Sequence, residues 1–511
     1  MTTEALLFEC DRWQHLNIPC LIDRHMRLED EIKRELERHT DVHAVKSALI
    51  KRGYLEEDID AALCTLVTGG NDERARHNKV FSIKESLDRI GYGFSSQQFI
   101  NILFMLSGAS LFAIGFMNGL KTVLNYFISG LLKEYARLRY LGKTIISIAG
   151  IIFGFSFLGM ALAVMLGNPV LFAIAMLIGT VGIIAHGDIY TDFYTATLKI
   201  ERRSTFLRFV SYFGVIITAL SLLLAGFIMQ IIPVNGTVIT LNLTSLGFGA
   251  VSMRVFGYLI AFELTAIMFI ISGYVLSFIS EKKETLSSVV QERTFISAYF
   301  RKSQQDIKIF TKNHKIFLLM LATVITTIVQ IVGNSFYGIY IYQSFTHEFF
   351  GGFLNVAFIF MIAIIASLSG SMLTKKFAKD LGEAPMLVFG TLLIALLPVT
   401  FYFNNHLYAI ALATALAVVG ATIVGVAQGM LAERLLTDDE QKSYFSSLGF
   451  VSIIPTLLLV TLGALIAQVF SVELLFLILG IILAAIVMPI YFIIVLIVDK
   501  EYREKKRVSR A

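Results

Sequence analysis

The run "IFLLMLATVITTIVQIVGNSFYGIYIY" at residues 316–342 contains no charged side chain and is longer than the roughly 20 residues that a helix needs to cross a bilayer. A helix satisfies its backbone polar groups internally, as hydrocarbon requires. Comparable apolar runs follow one another between Phe99 and Val498. The sequence therefore predicts an all-α fold, a polytopic membrane helix bundle.

The composition supports this class. The 511 residues are 56% hydrophobic and 16% charged, against roughly a quarter charged in an average soluble domain. The net charge of +5 is divided among short loops, which predicts no nucleic-acid partner. The spacing of Cys10, Cys20 and Cys64 matches neither a disulfide framework nor a zinc site. Because no P-loop, nucleophile elbow or metal-ligand spacing is recognisable, we expect no enzyme activity, no cofactor and no metal.

Eleven apolar segments define the predicted spans. They are 99–132, 144–166, 170–190, 206–232, 256–279, 316–342, 349–373, 386–403, 407–431, 445–470 and 474–498. The first is long for one helix and short for two, so it is either a broken helix or a hairpin of short helices.

Basic clusters mark cytoplasmic loops. Their positions are 133–143, 199–208, 282–315, 375–379, 434–442 and 500–510. Each interval between clusters holds an even number of spans only if residues 99–132 form a hairpin, so about twelve spans are favoured over eleven. Both termini are then cytoplasmic, and we expect the protein in the cell membrane.

The long basic loop at 281–315 divides the membrane region into two halves. We predict a cytoplasmic helical domain and linker at 1–95, an N-terminal half at 96–280, an inter-half loop at 281–315, a C-terminal half at 316–498 and a basic tail at 499–511. Residues 82–94 are amphipathic, which fits either a helix on the membrane surface or an ordinary connecting helix.

Short motifs repeat between the halves. The loop after the second helix of each half carries a glycine followed by charged residues. The junction that follows the fourth helix is also similar in the two halves, and His186-Gly187 in the first corresponds to Gln428-Gly429 in the second. The loop residues are Gly130, Glu134, Arg137 and Arg139 in the first half and Gly370, Lys375 and Lys376 in the second, with Arg202 and Arg203 after the fourth helix.

This organisation resembles the major facilitator superfamily, with two pseudo-symmetric six-helix halves around a midplane site. The resemblance implies a secondary active transporter that moves a small solute by alternating access, coupled to a proton or another ion. It also implies that the loop residues form cytoplasmic latches, although basic loops that only obey membrane topology would look the same.

Polar residues within spans are candidates for substrate binding or coupling, because they are costly in hydrocarbon. Glu263 is the clearest, and its alternative is a structural ion pair. The stripe Gln330, Asn334 and Tyr337 fits either a cavity lining or hydrogen bonds between helices. The weaker candidates are His186, Asp188, Asn355 and Gln428.

Two other functions fit the same pattern. One is a lipid or polysaccharide flippase, and the other is a transporter-like membrane scaffold or sensor whose output lies in the N-terminal domain. The expected partners are a small-molecule solute, a coupling proton or cation, and membrane lipid, and the expected state is a monomer.

Overall fold

The computed structural model describes residues 49–52, 70–134, 142–197, 206–207, 209–242, 250–279, 295–403 and 406–497. The chain divides into two compact units. One comprises Met1–Ser82 with Leu198–Leu207, and the other Ile83–Thr197 with Arg208–Ala511. The second unit is the helix bundle described below.

The first half of the bundle contains seven described α-helices. These are α1 (Gly70–Phe94), which starts in the first unit, α2 (Gln97–Leu106), α3 (Leu111–Glu134), α4 (Gly142–Met165), α5 (Pro169–Thr197), α6 (Val215–Ile231) and α7 (Gly257–Val275). A π-turn at Val210–Gly214 leads into α6, and a 3-10 turn at Leu276–Phe278 ends α7.

The second half begins with a helix on the inter-half segment. Its helices are α8 (Phe295–Lys312), α9 (His314–Ser344), α10 (Gly352–Leu381), α11 (Glu383–Phe403), α12 (Leu407–Leu435), α13 (Asp438–Val469) and α14 (Val472–Ile482). A π-turn at Leu483–Val487 continues α14, and the whole span reaches Ile497. Within the described residues, eleven helices are long and apolar enough to cross a membrane.

Residues 99–132, which were predicted to form either a broken helix or a hairpin, form a hairpin. Helices α2 and α3 are joined by residues 107–110, where Gly108 adopts a positive φ of 98° that a side chain would disfavour. The ten residues of α2 rise only about 15 Å, too little to cross a bilayer alone. Helix α1 precedes α2 directly, with a break at Ser95 and Ser96, where Ser96 has an extended ψ of 137°.

Residues 82–94 form a helix, as expected, but not one that lies on the membrane surface. Lys84 and Asp88 are buried there, at 0% and 3% exposure. Their charges pair with each other and with the bundle, so the polar face of this helix is turned inward rather than toward water. The compact unit that contains the bundle begins at Ile83.

The all-α prediction also needs one amendment. Strands β1 (Thr237–Asn242) and β2 (Ala250–Val255) form an antiparallel pair in the connection between α6 and α7. Thr237 lies opposite Val255. The four successive β-branched residues Thr237–Thr240 favour a strand over a helix in this connection.

In the described structure the two halves meet chiefly through α2 with α9, α3 with α13, and α6 with α10, and α3 also contacts α8 and α9. Small residues permit the close approach, because a Cβ on Gly115 would clash with Ala464, and one on Gly226 with Ala357. Gln230 Oε1 also accepts a hydrogen bond from the Phe353 N–H at 3.2 Å. These contacts lie at the end of the bundle that carries the turns 107–110 and 345–351, which we call the closed end.

Candidate functional site

A cluster of charged and polar side chains is buried inside the first half. Lys84 and Asp88 are one turn apart on α1, and Lys84 Nζ donates a hydrogen bond to Asp88 Oδ2. The Ser272 hydroxyl of α7 donates to Asp88 Oδ1. From α5, His186 brings its Nε2 to 3.0 Å from Asp88 Oδ2. We call Lys84, Asp88, His186 and Ser272 the charged cluster.

The contacts of His186 restrict its proton positions. Its Nδ1 lies 3.3 Å from the Ile146 carbonyl oxygen, which can only accept, so Nδ1 carries a hydrogen. Its Nε2 lies 3.1 Å from Lys84 Nζ, a donor, and 3.0 Å from Asp88 Oδ2, an acceptor. A neutral imidazole therefore accepts from Lys84, whereas an imidazolium donates to Asp88. Gain or loss of one proton therefore decides whether His186 Nε2 bonds to Asp88 or to Lys84.

Aromatic rings and a glycine enclose this cluster. Lys84 Nζ lies 3.5 Å from the centroid of the Tyr190 ring, a cation–π contact, and the Phe269 ring stands edge-on to His186. A Cβ on Gly150 would lie 3.4 Å from His186 Nδ1. Burying an ion costs several kcal/mol, and the mutual pairing within the cluster offsets that cost.

The second half carries a network of neutral side chains. Gln428 of α12, which the repeated junction motif pairs with His186, donates from Nε2 to Tyr491 Oη at 2.6 Å. Tyr491 is buried in the last span, and its hydroxyl faces Thr326 and Thr323 of α9. Of these two described networks, only that of the first half contains charged side chains.

A second polar cluster joins the two halves near the closed end. Its side chains come from α2, α3 and α9, and all five are linked by hydrogen bonds. We call it the amide cluster, and its members are Gln97, Asn101, Asn118, Lys121 and Ser335.

Hydrogen bonds in the amide cluster cross between halves. Asn118 Nδ2 lies 3.1 Å from both Asn101 Oδ1 and Ser335 Oγ. Asn101 Nδ2 donates to the carbonyl oxygens of Asn334 and Ser335, each at 3.2 Å. Lys121 Nζ donates to Gln97 Oε1. Sequence reasoning missed this cluster, although a lysine ten residues into an apolar helix was a visible signal.

The predicted site residues are not gathered in one place. Of the membrane candidates, His186 lies in the charged cluster. Glu263 is exposed on α7, on the same face as the exposed Ile267 and Ile271, which are apolar. Asp188 is half-buried, and its Oδ2 is enclosed without a hydrogen-bond partner in the described structure.

The predicted stripe on α9 is divided between two environments. Tyr337 is buried, and its ring stacks on Phe401 with centroids 4.7 Å apart. Asn334 is exposed and Gln330 half-buried. Asn355 fixes the turn before α10 instead, because its Nδ2 donates to the carbonyl oxygens of Phe345 and Glu348 at 2.9 and 3.0 Å.

The predicted latch residues fall partly within the described structure. Gly130 is packed against Tyr299 of α8, and Gly370 against Thr422 of α12, with no room for a Cβ at either glycine. Lys376 is exposed. The remaining predictions lie outside the described residues or side chains, namely Glu134, Arg137, Arg139, Arg202, Arg203 and Lys375.

No protein-family model matches the chain. No curated protein matches it either. Solved structures do match in fold. The nucleoside transporter NupG superposes with a TM-score of 0.58 and 13% identity, covering 82% of this chain and 98% of its own.

Two further matches are bacterial transporters in inward-facing states. A homologue of the iron transporter ferroportin gives a TM-score of 0.62 at 11% identity, over 82% of this chain and 98% of that one. A homologue of the human lysosomal transporter Spinster gives 0.58 at 14% identity, over 83% and 96%. The chain thus shares the multi-pass membrane fold of these transporter structures.

Proposed function

We propose that the protein is a secondary transporter that moves a small polar solute by alternating access and uses the charged cluster to couple transport to a proton. The observation that carries the proposal is the position of His186 Nε2 between Lys84 Nζ and Asp88 Oδ2. Gain of one proton forces this nitrogen to exchange an acceptor role for a donor role. Such a group, buried in a membrane bundle, is a functional site by default.

The first span connects the proton site to the junction between halves. Lys84 and Asp88 lie on α1, and the directly following α2 carries Gln98 and Asn101. Gln98 Oε1 accepts from the Gly338 N–H at 3.0 Å, and Asn101 donates to α9. A change in the bonding of α1 to α5 and α7 is thus transmitted along one chain segment to the contact with the second half. In this account α1 and α2 together form the twelfth span.

The described conformation supports a direction for the cycle. The hydrogen bonds that join the halves, including Gln230 with Phe353, lie at the closed end. The opposite end carries the basic loops, which the positive-inside tendency assigns to the cytoplasm. On the proposed orientation, in which both termini are cytoplasmic, we assign this conformation to the inward-facing state.

The test uses the full chain in proteoliposomes that enclose a pH-sensitive dye. Radiolabelled organic acids, sugars, nucleosides and amino acids are added singly. We expect one class to enter and to change the lumenal pH, and we expect His186→Gln to stop the pH change while preserving exchange of labelled solute. Uptake without proton movement in the parent, or no uptake of any class, contradicts the proposal.

One observation favours a second candidate, a lipid flippase. An apolar groove of about 370 Å³ opens between α6 and α10, lined among others by Leu224, Phe227 and Phe358. Its apolar lining suits an acyl chain. The same vesicles loaded with a fluorescent lipid distinguish the two functions, because the transporter proposal predicts no protein-dependent lipid translocation.

A further inference from the structure

We propose that the amide cluster is the binding site for the solute and that it takes a polar organic anion, whose carboxylate or phosphate group pairs with Lys121. This inference deepens the proposed function and rests on it for the transport pathway. The binding event itself requires neither a proton gradient nor a membrane, so it is tested separately.

The first argument is charge. Lys121 lies within the span Leu111–Leu132, where a lysine is costly unless a partner compensates it. Its described hydrogen bond goes to the neutral amide oxygen of Gln97, and no ion pair of the described residues includes it. Lys84, by contrast, is paired with Asp88. The unpaired cation is therefore the place where an anion gains most.

The second argument is orientation. Asn118, Lys121 and Asn125 are spaced i, i+3 and i+7, so they share one face of α3. Gly115 and Gly119 lie on another face, packed against Ala464 and Val460 of α13. The polar face is thus turned toward α2 and α9, at the junction between halves, rather than toward α13.

Exposure at this junction differs from exposure on the outer surface. Asn125 and Asn334 are both exposed although they lie well inside their helices. Exposed side chains on the outer faces are mostly apolar, as with Ile148, Ile152 and Phe155 of α4, and Glu263 of α7 is an exception. The exposed Asn125, one turn from Lys121, and the exposed Asn334, whose carbonyl oxygen accepts from Asn101, indicate a water-accessible face that a solute can reach.

The third argument is the chemistry of the neighbours. The amides of Gln97, Asn101 and Asn118 each provide both donors and acceptors, and the Ser335 hydroxyl adds another. Such groups recognise hydroxyl or carbonyl substituents, whereas the ammonium of Lys121 fixes the anionic end. Because Asn118 also binds Ser335 across the junction, a solute at this site contacts both halves, as alternating access requires.

The experiment measures thermal unfolding of the purified full chain in detergent at constant ionic strength. The probes are matched pairs, gluconate against glucose and glucose 6-phosphate against glucose. We expect at least one anion to raise the melting temperature while glucose does not. If only gluconate raises the melting temperature, the site binds a carboxylate. If only glucose 6-phosphate raises it, the site binds a phosphate.

Variants assign the effect to Lys121. Lys121→Gln should weaken the anion's apparent affinity at least tenfold, Lys121→Arg should preserve it, and Lys308→Gln, which removes an exposed charge of α8, should leave it unchanged. If Lys121→Gln does not fold, Asn118→Asp places a carboxylate beside Lys121 and should abolish the shift.

Three results overturn the inference: no anion stabilises the protein, glucose stabilises it equally, or the anion shift survives Lys121→Gln. The His186→Gln variant separates this inference from proton coupling, because it should retain the anion shift. If the parent protein shows the anion-induced rise in melting temperature but moves no protons, the proposed coupling is contradicted and the anion site stands.

Discussion

The imidazole of His186 lies 3.0 Å from the carboxylate of Asp88 although 98 positions separate them in the chain. Their contact joins α1 to α5 inside one half of the bundle. Asp88 also accepts from Lys84 and Ser272, so a single carboxylate holds three helices together. Its removal has consequences for stability that are separate from transport.

We predict that Asp88→Asn lowers the free energy of unfolding by about 3–5 kcal/mol, because it leaves Lys84 buried without its ion-pair partner. The double variant Lys84→Met/Asp88→Asn should recover most of this loss. Chemical unfolding in detergent, read as a double-mutant cycle, measures both values. Equal stability of Asp88→Asn and the parent would show that the pair is not a buried charge pair.

The closed end depends on the absence of a side chain at Gly115. Gly115→Leu should force α3 away from Ala464 and open this end, because a Cβ alone already clashes there. Spin labels at Leu166→Cys and Phe403→Cys, two exposed positions near that end, should then move apart. Gly429→Leu is the matched control, since nothing lies within 4 Å of its Cβ position. An unchanged distance in Gly115→Leu would refute this packing.

The fold was predictable from the sequence in its main features because long apolar runs leave few alternatives to membrane helices. The hairpin at 99–132 followed from charge balance between loops. The burial of α1 was not predicted, because Lys84, Glu85, Asp88 and Arg89 make residues 82–94 too polar to be recognised as part of a span. Their pairing at i, i+4 neutralises the charges inside the bundle, which hydropathy does not register.

The candidate site was only partly predictable. His186 was identified from its place near a helix end, but its partners on α1 depend on contacts between distant segments. Lys121 was overlooked inside an apolar segment. Glu263 drew attention because its sequence neighbours are apolar, yet the neighbours that decide its role are those across the helix surface, which periodicity alone does not provide.

The outward position of Glu263 leads to a different expectation from the one its sequence suggested. Glu263→Gln should leave proton coupling unchanged, because the side chain shares an exposed face with Ile267 and Ile271 and belongs to neither polar cluster. Lumenal pH change in proteoliposomes measures coupling. Loss of proton movement with retained solute exchange would restore Glu263 to the coupling mechanism.

The start of α13 is fixed by a capping box between Thr437 and Glu440. Glu440 Oε2 accepts from the Thr437 N–H and hydroxyl, each at 2.9 Å, and these bonds lower the pKa of Glu440 below its ordinary value of 4.5. Thr437→Ala should cost about 1 kcal/mol in unfolding free energy.

The sign of the pH effect follows from the lowered pKa of Glu440. The stabilisation by its carboxylate is present above the unfolded-state pKa and is lost as the pH falls through the folded-state pKa. The difference in melting temperature between the parent and Glu440→Gln should therefore shrink on acidification. A difference that grows at low pH would contradict the capping assignment.

Proton-dependent switching at His186 is tested most directly by the distance between spin labels at Tyr212→Cys and Phe445→Cys, which are exposed on opposite halves at the basic end. Cys10, Cys20 and Cys64 are first replaced by serine. When the pH is varied between about 5 and 8, we expect the ratio of two distance populations to change. His186→Gln should abolish that change, and Tyr491→Phe in the neutral network should retain it. A pH response that persists in His186→Gln, or is lacking in the parent, would contradict the account.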